Sequence, residues 1–162
     1  MEIPLQIKYT DGGDLEFISL CSQLDEYLNA IAGGEEHRQQ YIPHNVPSGV
    51  CAVILVYLQN RCIGCAALKP YAHGVAEVKR VFVLPEYRRH GAGRYLMREL
   101  ERVAERHGIH TLRLETGAPL FEAVALYSAM GYQPAEKYGP YAELPDTGDC
   151  ICMAKKLKKE GP

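Results

Sequence analysis

The sequence lacks any long apolar segment. No run of nonpolar residues approaches the roughly 20 residues that a helix needs to cross a bilayer. The first residues, Met1 to Gln6, also lack the basic and apolar regions of a secretory signal peptide. These two absences predict a protein without a membrane partner, which we expect in the cytoplasm.

The sequence also lacks an excess of charge of one sign. It contains 18 basic and 20 acidic residues, which give a formal net charge of −2 at pH 7. This balance gives no electrostatic reason to expect nucleic acid as a partner. The lysines of the C-terminal tail, residues 155–159, follow a predicted strand and are interpreted as a solvated terminus.

Metal-ligand spacing is absent as well, although the chain contains six cysteines and six histidines. Cys62 and Cys65 fall in a predicted strand, where their odd spacing is expected to send them to opposite faces. Cys150 and Cys152 share a face but have no adjacent basic group that would activate them. We therefore predict buried, reduced thiols and no metal, and keep a cysteine-based metal or redox protein as a competing hypothesis.

What the sequence does contain is a series of strand and helix patterns without repeats or linkers. Strand patterns cover residues 3–9, 50–58, 62–68, 75–84, 110–115, 132–135 and 150–154, and helical patterns cover 15–32, 91–107 and 118–130. Asp14 stands where it can cap the first helix, and residues 59–61 predict a hairpin turn. The chain is therefore predicted to form a single mixed α/β domain over residues 1–162.

The sharpest motif lies at the junction of the strand 75–84 and the helix 91–107. The segment Arg88-Arg89-His90-Gly91-Ala92-Gly93 separates them. Unsatisfied N–H groups and the dipole at a helix N-terminus attract anions, so this loop predicts a phosphate cradle. It is not a Walker loop, because no Gly-Lys-Ser/Thr follows, and it lacks the third glycine of a dinucleotide fingerprint.

This segment resembles the [Arg/Gln]-x-x-Gly-x-[Gly/Ala] signature of the GNAT superfamily of acyl-CoA-dependent N-acetyltransferases. A second segment, Ala123-x-x-Leu126-Tyr127-x-x-x-Gly131-Tyr132, resembles another landmark of that family. The order of predicted elements fits the family over nearly the full length. The resemblance implies one GNAT-type domain with a mixed central sheet of about six or seven strands, flanked by helices, whose central strands splay apart.

The resemblance further implies that acetyl-CoA is a co-substrate. The loop would hold the coenzyme pyrophosphate, and the strand before it would pair with the pantetheine arm and polarise the thioester carbonyl. The coenzyme-binding residues predicted in this way are Val81, Phe82, Val83, Arg88, Arg89, His90, Gly91, Ala92, Gly93 and Arg94. Leu120 stands where the family often has an asparagine, so one coenzyme contact is in doubt.

Two side chains are predicted to be catalytic. Glu77 lies eleven residues before Arg88, a spacing that carries the general base in several GNAT enzymes. An amine with a pKa near roughly 10.4 must lose a proton before it attacks a thioester. Glu115 on the next strand is the competing carboxylate, and Glu77 could instead be a strand residue paired with a cation. Tyr127 matches the family tyrosine that protonates the departing thiolate, although its helix face also suits a core residue.

The sequence thus predicts an N-acetyltransferase that transfers an acetyl group directly to a primary amine in a ternary complex. The alternative is a catalytically silent acyl-CoA-binding module. The acceptor is a small-molecule or peptide amine. We expect the acceptor to be set by the segments 35–49 and 138–149 and by the hairpin turn at Asn60. These segments carry Glu35, Glu36, Tyr138, Tyr141, Glu143, Asp146 and Asp149, which suit a cationic amine. A polyamine, an aminoglycoside, an amino acid, a protein lysine and a protein N-terminus all stay open. A longer acyl donor stays open, and so does a homodimer, which is compatible with the family.

Overall fold

Seven strands and three helices form the computed structural model, which describes residues 4–39, 49–117, 120–143 and 150–157. The strands are β1 (Gln6–Thr10), β2 (Ala52–Leu58), β3 (Arg61–Ala72), β4 (Val75–Val83), β5 (Thr111–Gly117), β6 (Gln133–Pro134) and β7 (Cys150–Lys156). The helices are α1 (Leu15–Ala32), α2 (Ala92–Arg106) and α3 (Phe121–Ala129). One sheet contains all seven strands in the order β1-β2-β3-β4-β5-β7-β6. The predicted mixed sheet is confirmed.

The local sequence explains where the first elements begin and end. Asp14 caps α1, because its Oδ1 accepts the N–H groups of Glu16 at 2.9 Å and Phe17 at 3.4 Å. The predicted hairpin between β2 and β3 is also present. Gln59 and Asn60 both have positive φ, at 50° and 66°, as a tight two-residue turn between twisted strands requires.

Strand β3 is longer than the sequence predicts. The sequence predicts a loop over residues 70–74, and this prediction is wrong for residues 70–72, because β3 continues through Pro70 to Ala72 and pairs with β4. Pro70 is tolerated there because β2 pairs with β3 only as far as Leu68, so the missing N–H has no neighbouring strand to bond. Helix α3 is shorter than the predicted 118–130, and the predicted first strand includes Ile3, which lies outside the described residues.

Helices cover both faces of the sheet. Helix α2 buries Leu96, Met97 and Leu100 against one face, together with residues of α3. Helix α1 buries Phe17 and Leu20 against the other. The apolar spacing of α2 is therefore a consequence of packing on the sheet. None of the helices in the described ranges is long and apolar enough to span a membrane.

The sheet opens in the middle, between β4 and β5. These parallel strands pair only where Val75–Glu77 faces Thr111–Arg113. Beyond Glu77, β4 keeps its bonds to β3 while β5 keeps its bonds to β7, so the two strands diverge. A bulge marks the divergence, because Arg80 and Val81 together oppose Ala66, and Arg80 has φ of 56°. The splayed central strands are thereby confirmed, and they create a wedge-shaped gap.

Candidate active site

The N-terminus of α2 stands beside the end of β4 and has the properties of an anion site. Its N-cap residue, Gly91, has φ of 83°, and no side chain caps the helix. The backbone of Arg89 also adopts a left-handed conformation, with φ of 70°. A Cβ added to Gly91 would meet no atom within 4 Å, so the side of Gly91 on which a side chain would stand is unobstructed. The first-turn N–H groups and the helix dipole are therefore available to an anion at a helix end that no side chain caps.

The glycines of this loop have different tasks. Gly91 supplies a backbone conformation that other residues rarely adopt. At Gly93 an added Cβ would lie 3.1 Å from Cδ2 of Leu126 on α3. The second glycine of the signature therefore permits close packing of α2 on α3, which the sequence does not reveal.

The two arginines of the loop also differ. Arg88 turns away from the helix N-terminus: its Nε donates to the carbonyl of Val83 at 3.0 Å and its Nη1 to the hydroxyl of Tyr27 at 2.8 Å. Its guanidinium also lies 4.5 Å from the ring centroid of Tyr27. Arg89 is exposed, 3.6 Å from Glu122 of α3. Arg88 thus ties the loop to α1, while Arg89 supplies charge at the surface.

The backbone of β4 faces the gap with unpaired groups. The N–H of Leu84 donates to Ile63 of β3 at 2.8 Å. Because successive N–H groups along a strand alternate in direction, the N–H of Val83 points away from β3 toward the gap. An extended ligand lying in the gap would find a strand edge with which to pair.

Glu77 is held by donors on the α1 face of the sheet. Its Oε2 accepts the hydroxyl of Tyr138 at 2.6 Å, and its Oε1 lies 3.7 Å from Nζ of Lys79. Lys79 in turn donates to the hydroxyl of Tyr141 at 3.0 Å. Burial lowers the pKa of Lys79, an effect that the charges of Glu77 and Glu115 oppose. Glu77 is thus part of a buried, hydrogen-bonded network.

Glu115 projects from β5 onto the same face, across the gap from Lys79. Its pKa is raised to about 7, mainly by burial and in part by the negative charge of Glu77, while the Cys150 thiol and the cations Lys79 and Arg38 act in the opposite direction. A carboxylate with a pKa near neutrality can exchange a proton at physiological pH. This is the property that a general base requires.

Tyr127 lies on α3 and packs in the core on the α2 side of the sheet. It is buried, and its ring lies 5.9 Å from the ring of Tyr132. Burial raises the pKa of Tyr127, and the charge of Glu115 adds to the increase. Tyr127 is thus within electrostatic range of Glu115.

This chain can be compared with known protein families. A model of the acetyltransferase (GNAT) family matches residues 19–132, from α1 to the end of the Tyr127 segment. The chain belongs to the GNAT acetyltransferase family. The acyltransferase class that the sequence predicts is therefore confirmed at the level of the family.

Individual relatives agree with this membership. The IAA acetyltransferase of Azospirillum brasilense is 29% identical over 129 residues, which are 79% of this chain and 84% of the relative. The putative acyl-CoA N-acyltransferase of Klebsiella pneumoniae has 29% identity and a TM-score of 0.77, with 97% of this chain and 100% of that chain covered. The PaiA N-acetyltransferase of Thermoplasma acidophilum, solved in complex with coenzyme A, shares the fold at 20% identity, with a TM-score of 0.70 and coverage of 94% and 99%.

Within this GNAT chain, the predicted site residues lie in three places. The predicted coenzyme residues, Val81–Val83 and 88–94, lie together at the end of β4 and the start of α2. Glu77 lies farther back, where β4 and β5 are still paired. Tyr127 packs in the core on the α2 side of the sheet. Of the predicted acceptor residues, Tyr138 and Tyr141 contact the Glu77 network, while Asp146 and Asp149 lie outside the described residues.

Sequence reasoning allowed for a cation beside Glu77, which is Lys79, but missed Arg80 and Arg38 on this face. All three cations are buried near the predicted carboxylates. The Lys79-Arg80 pair, two residues after Glu77, was a signal, because charged residues rarely occupy a central strand without a partner. Arg38 gave no signal, since it lies in a polar segment whose fold the sequence does not predict.

The cysteine prediction needs one correction. Cys62 and Cys65 do not point to opposite faces, because both pack in the α1-facing core with Phe17. An irregularity between β2 and β3, at Val56 and Tyr57, shifts the alternation between the two thiols. Burial raises the pKa of Cys62 to about 11, which leaves it protonated. Within the described ranges no three His, Cys, Asp or Glu side chains are placed to hold a metal ion.

Proposed function

We propose that this chain, acting as one GNAT domain, transfers an acetyl group from acetyl-CoA to a primary amine by direct attack in a ternary complex. The observation that carries the proposal is the gap between β4 and β5. It has an open helix N-terminus at one end and a carboxylate with a pKa of about 7 along its side. The family supplies the reaction class.

The donor is assigned to the β4 side of the gap. Residues 89–94 would bind the pyrophosphate through backbone N–H groups, aided by the charge of Arg89. The pantetheine arm would lie along Val81–Val83 as an added strand, and an N–H of this strand would stabilise the oxyanion of the tetrahedral intermediate. Coenzyme A would supply a thioester whose thiolate is the leaving group, and no metal is required.

The proton acceptor proposed here is Glu115 instead of Glu77. Glu77 already accepts a 2.6 Å hydrogen bond from Tyr138 and lies 3.7 Å from Nζ of Lys79, so an incoming amine would have to compete with these partners for its oxygens. Glu115 stands where the strands have separated, and its pKa of about 7 leaves it substantially ionised at neutral pH. Glu77 would then orient the network that surrounds the amine, through Tyr138 and Lys79.

Tyr127 is proposed as the acid that protonates the coenzyme thiolate. Burial raises its pKa, so its hydroxyl keeps a proton to donate. A thiolate with a pKa near roughly 8.5 leaves readily without help, so this residue should contribute modestly to the rate.

The test is free-thiol release from acetyl-CoA across a panel of amines between pH 6 and 10. For wild type, we expect kcat/KM to fall below an apparent pKa near 7. Glu115→Gln should abolish this limb and lower the rate roughly 10²- to 10⁴-fold, whereas Glu77→Gln should keep the limb. Tyr127→Phe should lower kcat by about tenfold or less.

Two outcomes would contradict the assignment. If Glu77→Gln removed the acidic limb and Glu115→Gln did not, Glu77 would be the base. If acetyl-CoA bound but no amine in the panel were acetylated, the silent acyl-CoA-binding module would be favoured.

A further inference from the structure

Two buried arginines converge on one aspartate beside the proposed active site. Arg80, at the bulge of β4, places its Nη2 at 2.9 Å from Oδ1 of Asp25 and donates it to the carbonyl of Cys21 at 2.7 Å. Arg38 places its own Nη2 at 3.9 Å from the same Asp25 oxygen and donates its Nη1 to the Asp25 carbonyl at 3.3 Å. It also donates to Asn29 of α1. Both guanidinium groups thus face the same carboxylate.

The two guanidinium groups share one directly contacting carboxylate, while the charges of Glu115 and Glu35 act on Arg38 from farther away. Asp25 is their only direct carboxylate partner among the described residues, and the Asp25 side chain is 49% exposed. The arginine side chains are far more deeply buried, at 9% exposure for Arg38 and 2% for Arg80. Nη2 of Arg38 and Nε of Arg80 are buried without a hydrogen-bond partner. Unpaired buried donors of charged groups are costly, so this cluster of arginines has N–H donors that a second anion would satisfy.

The cluster adjoins the reacting groups. Arg80 directly precedes Val81–Val83, along which the thioester is proposed to lie, and it follows Lys79 of the Glu77 network. Arg38 interacts electrostatically with Glu115. An anion held by Arg38 and Arg80 would therefore belong to the molecule whose amine approaches Glu115.

We propose that Arg38 and Arg80 bind a carboxylate of the acceptor, which makes the acceptor a free amino acid or a related aminocarboxylate. This inference rests on the proposed acetyltransferase function. The guanidinium N–H groups match the geometry of a carboxylate, and charge-assisted bonds of this kind give both affinity and orientation. Polyamines have no carboxylate, and a lysine side chain within a protein carries none near its amine. Either acceptor would leave the arginines unpaired.

The test compares three matched acceptors with acetyl-CoA as donor. The twenty free amino acids are screened first, and the best substrate is then compared with its carboxamide and with the amine that decarboxylation would give. We expect the free acid to be favoured. Its KM should be roughly 10- to 100-fold lower than those of the carboxamide and the decarboxylated amine, which lack the carboxylate.

Arg38→Gln should remove this preference. It should raise the KM of the amino acid by a similar factor while changing the KM of the decarboxylated amine less than about threefold. Arg38→Lys, which keeps the charge but loses the planar group, should recover part of the preference. The matched control is Arg61→Gln, which removes an exposed arginine paired with Glu86 and should leave both KM values unchanged.

A binding measurement separates this inference from the proposed function. Calorimetry with the best amino acid and with its N-acetyl derivative, in the presence of coenzyme A, is run on wild type and on Arg38→Gln. Binding of either compound that weakens in Arg38→Gln supports the carboxylate site even if turnover fails. Equal binding to both proteins, no binding of either compound, or faster acetylation of amines without a carboxylate would overturn it, and in the last case the acetyltransferase function would stand.

Discussion

Replacing Glu115 with glutamine is expected to stabilise the protein at alkaline pH but not at acid pH. The pKa of this carboxyl rises from 4.5 to about 7 on folding, mainly because the group is buried. The folded protein therefore binds this proton more tightly than the unfolded chain. The stability associated with the proton is fully present below pH 4.5 and is lost as the pH rises through 7.

The magnitude follows from the two pKa values. They differ by roughly 2.5 pH units, and each unit corresponds to about 1.36 kcal/mol, so ionisation of Glu115 costs about 3 kcal/mol of folding free energy above pH 8. Glutamine resembles the protonated side chain and cannot ionise. The gain in stability of Glu115→Gln over wild type should therefore be about 3 kcal/mol larger at pH 9 than at pH 4.5.

Urea denaturation followed by circular dichroism at these two pH values measures the effect. Glu136→Gln is the control, because it removes an exposed carboxylate and should change stability by less than about 0.5 kcal/mol at both pH values. A difference between Glu115→Gln and wild type that is the same at pH 4.5 and pH 9 would refute the buried, proton-binding state of Glu115. It would also remove the main argument for Glu115 as the base.

Two further predictions concern the loop that precedes α2. Gly91→Ala and its control Gly108→Ala both place a Cβ on a left-handed backbone, with φ of 83° and 75°, and in neither variant would the Cβ meet an atom within 4 Å. Each variant should therefore lose about 1 kcal/mol of stability in urea denaturation. Only Gly91→Ala should weaken coenzyme A binding, measured by calorimetry. Equal affinity of the two variants would show that the phosphates do not approach Gly91. Arg88→Lys keeps the charge but loses the bonds to Val83 and Tyr27, so we expect a loss of about 1–2 kcal/mol in thermal or urea unfolding. Arg89→Lys, at an exposed site, should lose almost nothing, and a larger loss there than in Arg88→Lys would contradict the structural assignment of Arg88.

Most of the fold could be predicted from the sequence because the strongest sequence signals are local. Asp14 and Gly33 bound α1 where the caps predict, and the turn at Asn60 closes the predicted hairpin. The end of β3 was missed because the tolerance of Pro70 depends on where β2 stops pairing, which is a nonlocal fact. The face occupied by Cys62 was missed for the same reason, since an irregularity in strand pairing leaves no mark in the spacing of residues.

The candidate site was less predictable than the fold. The residues of the loop were identified together because a glycine-rich helix start is contiguous in sequence. The choice between Glu77 and Glu115 depends on burial and on partners such as Tyr138 and Lys79, which the fold brings from distant segments. Arg38 and Arg80 are 42 positions apart in the sequence, and they come together because both contact Asp25 of α1.

The bulge at Arg80 changes the relation between residue number and sheet face along β4. Before it, even-numbered residues such as Ala76 and Val78 pack under α2, while after it the odd-numbered Val83 does so and Phe82 packs toward α1. A deletion of Arg80 would thus remove the extra residue and place Val81 alone opposite Ala66, so that Phe82 and Val83 keep their present faces while the strand loses the bulge and the guanidinium together. Arg80→Gly, by contrast, keeps the left-handed backbone and removes only the guanidinium, so it is the substitution that separates the shape of the strand from its charge.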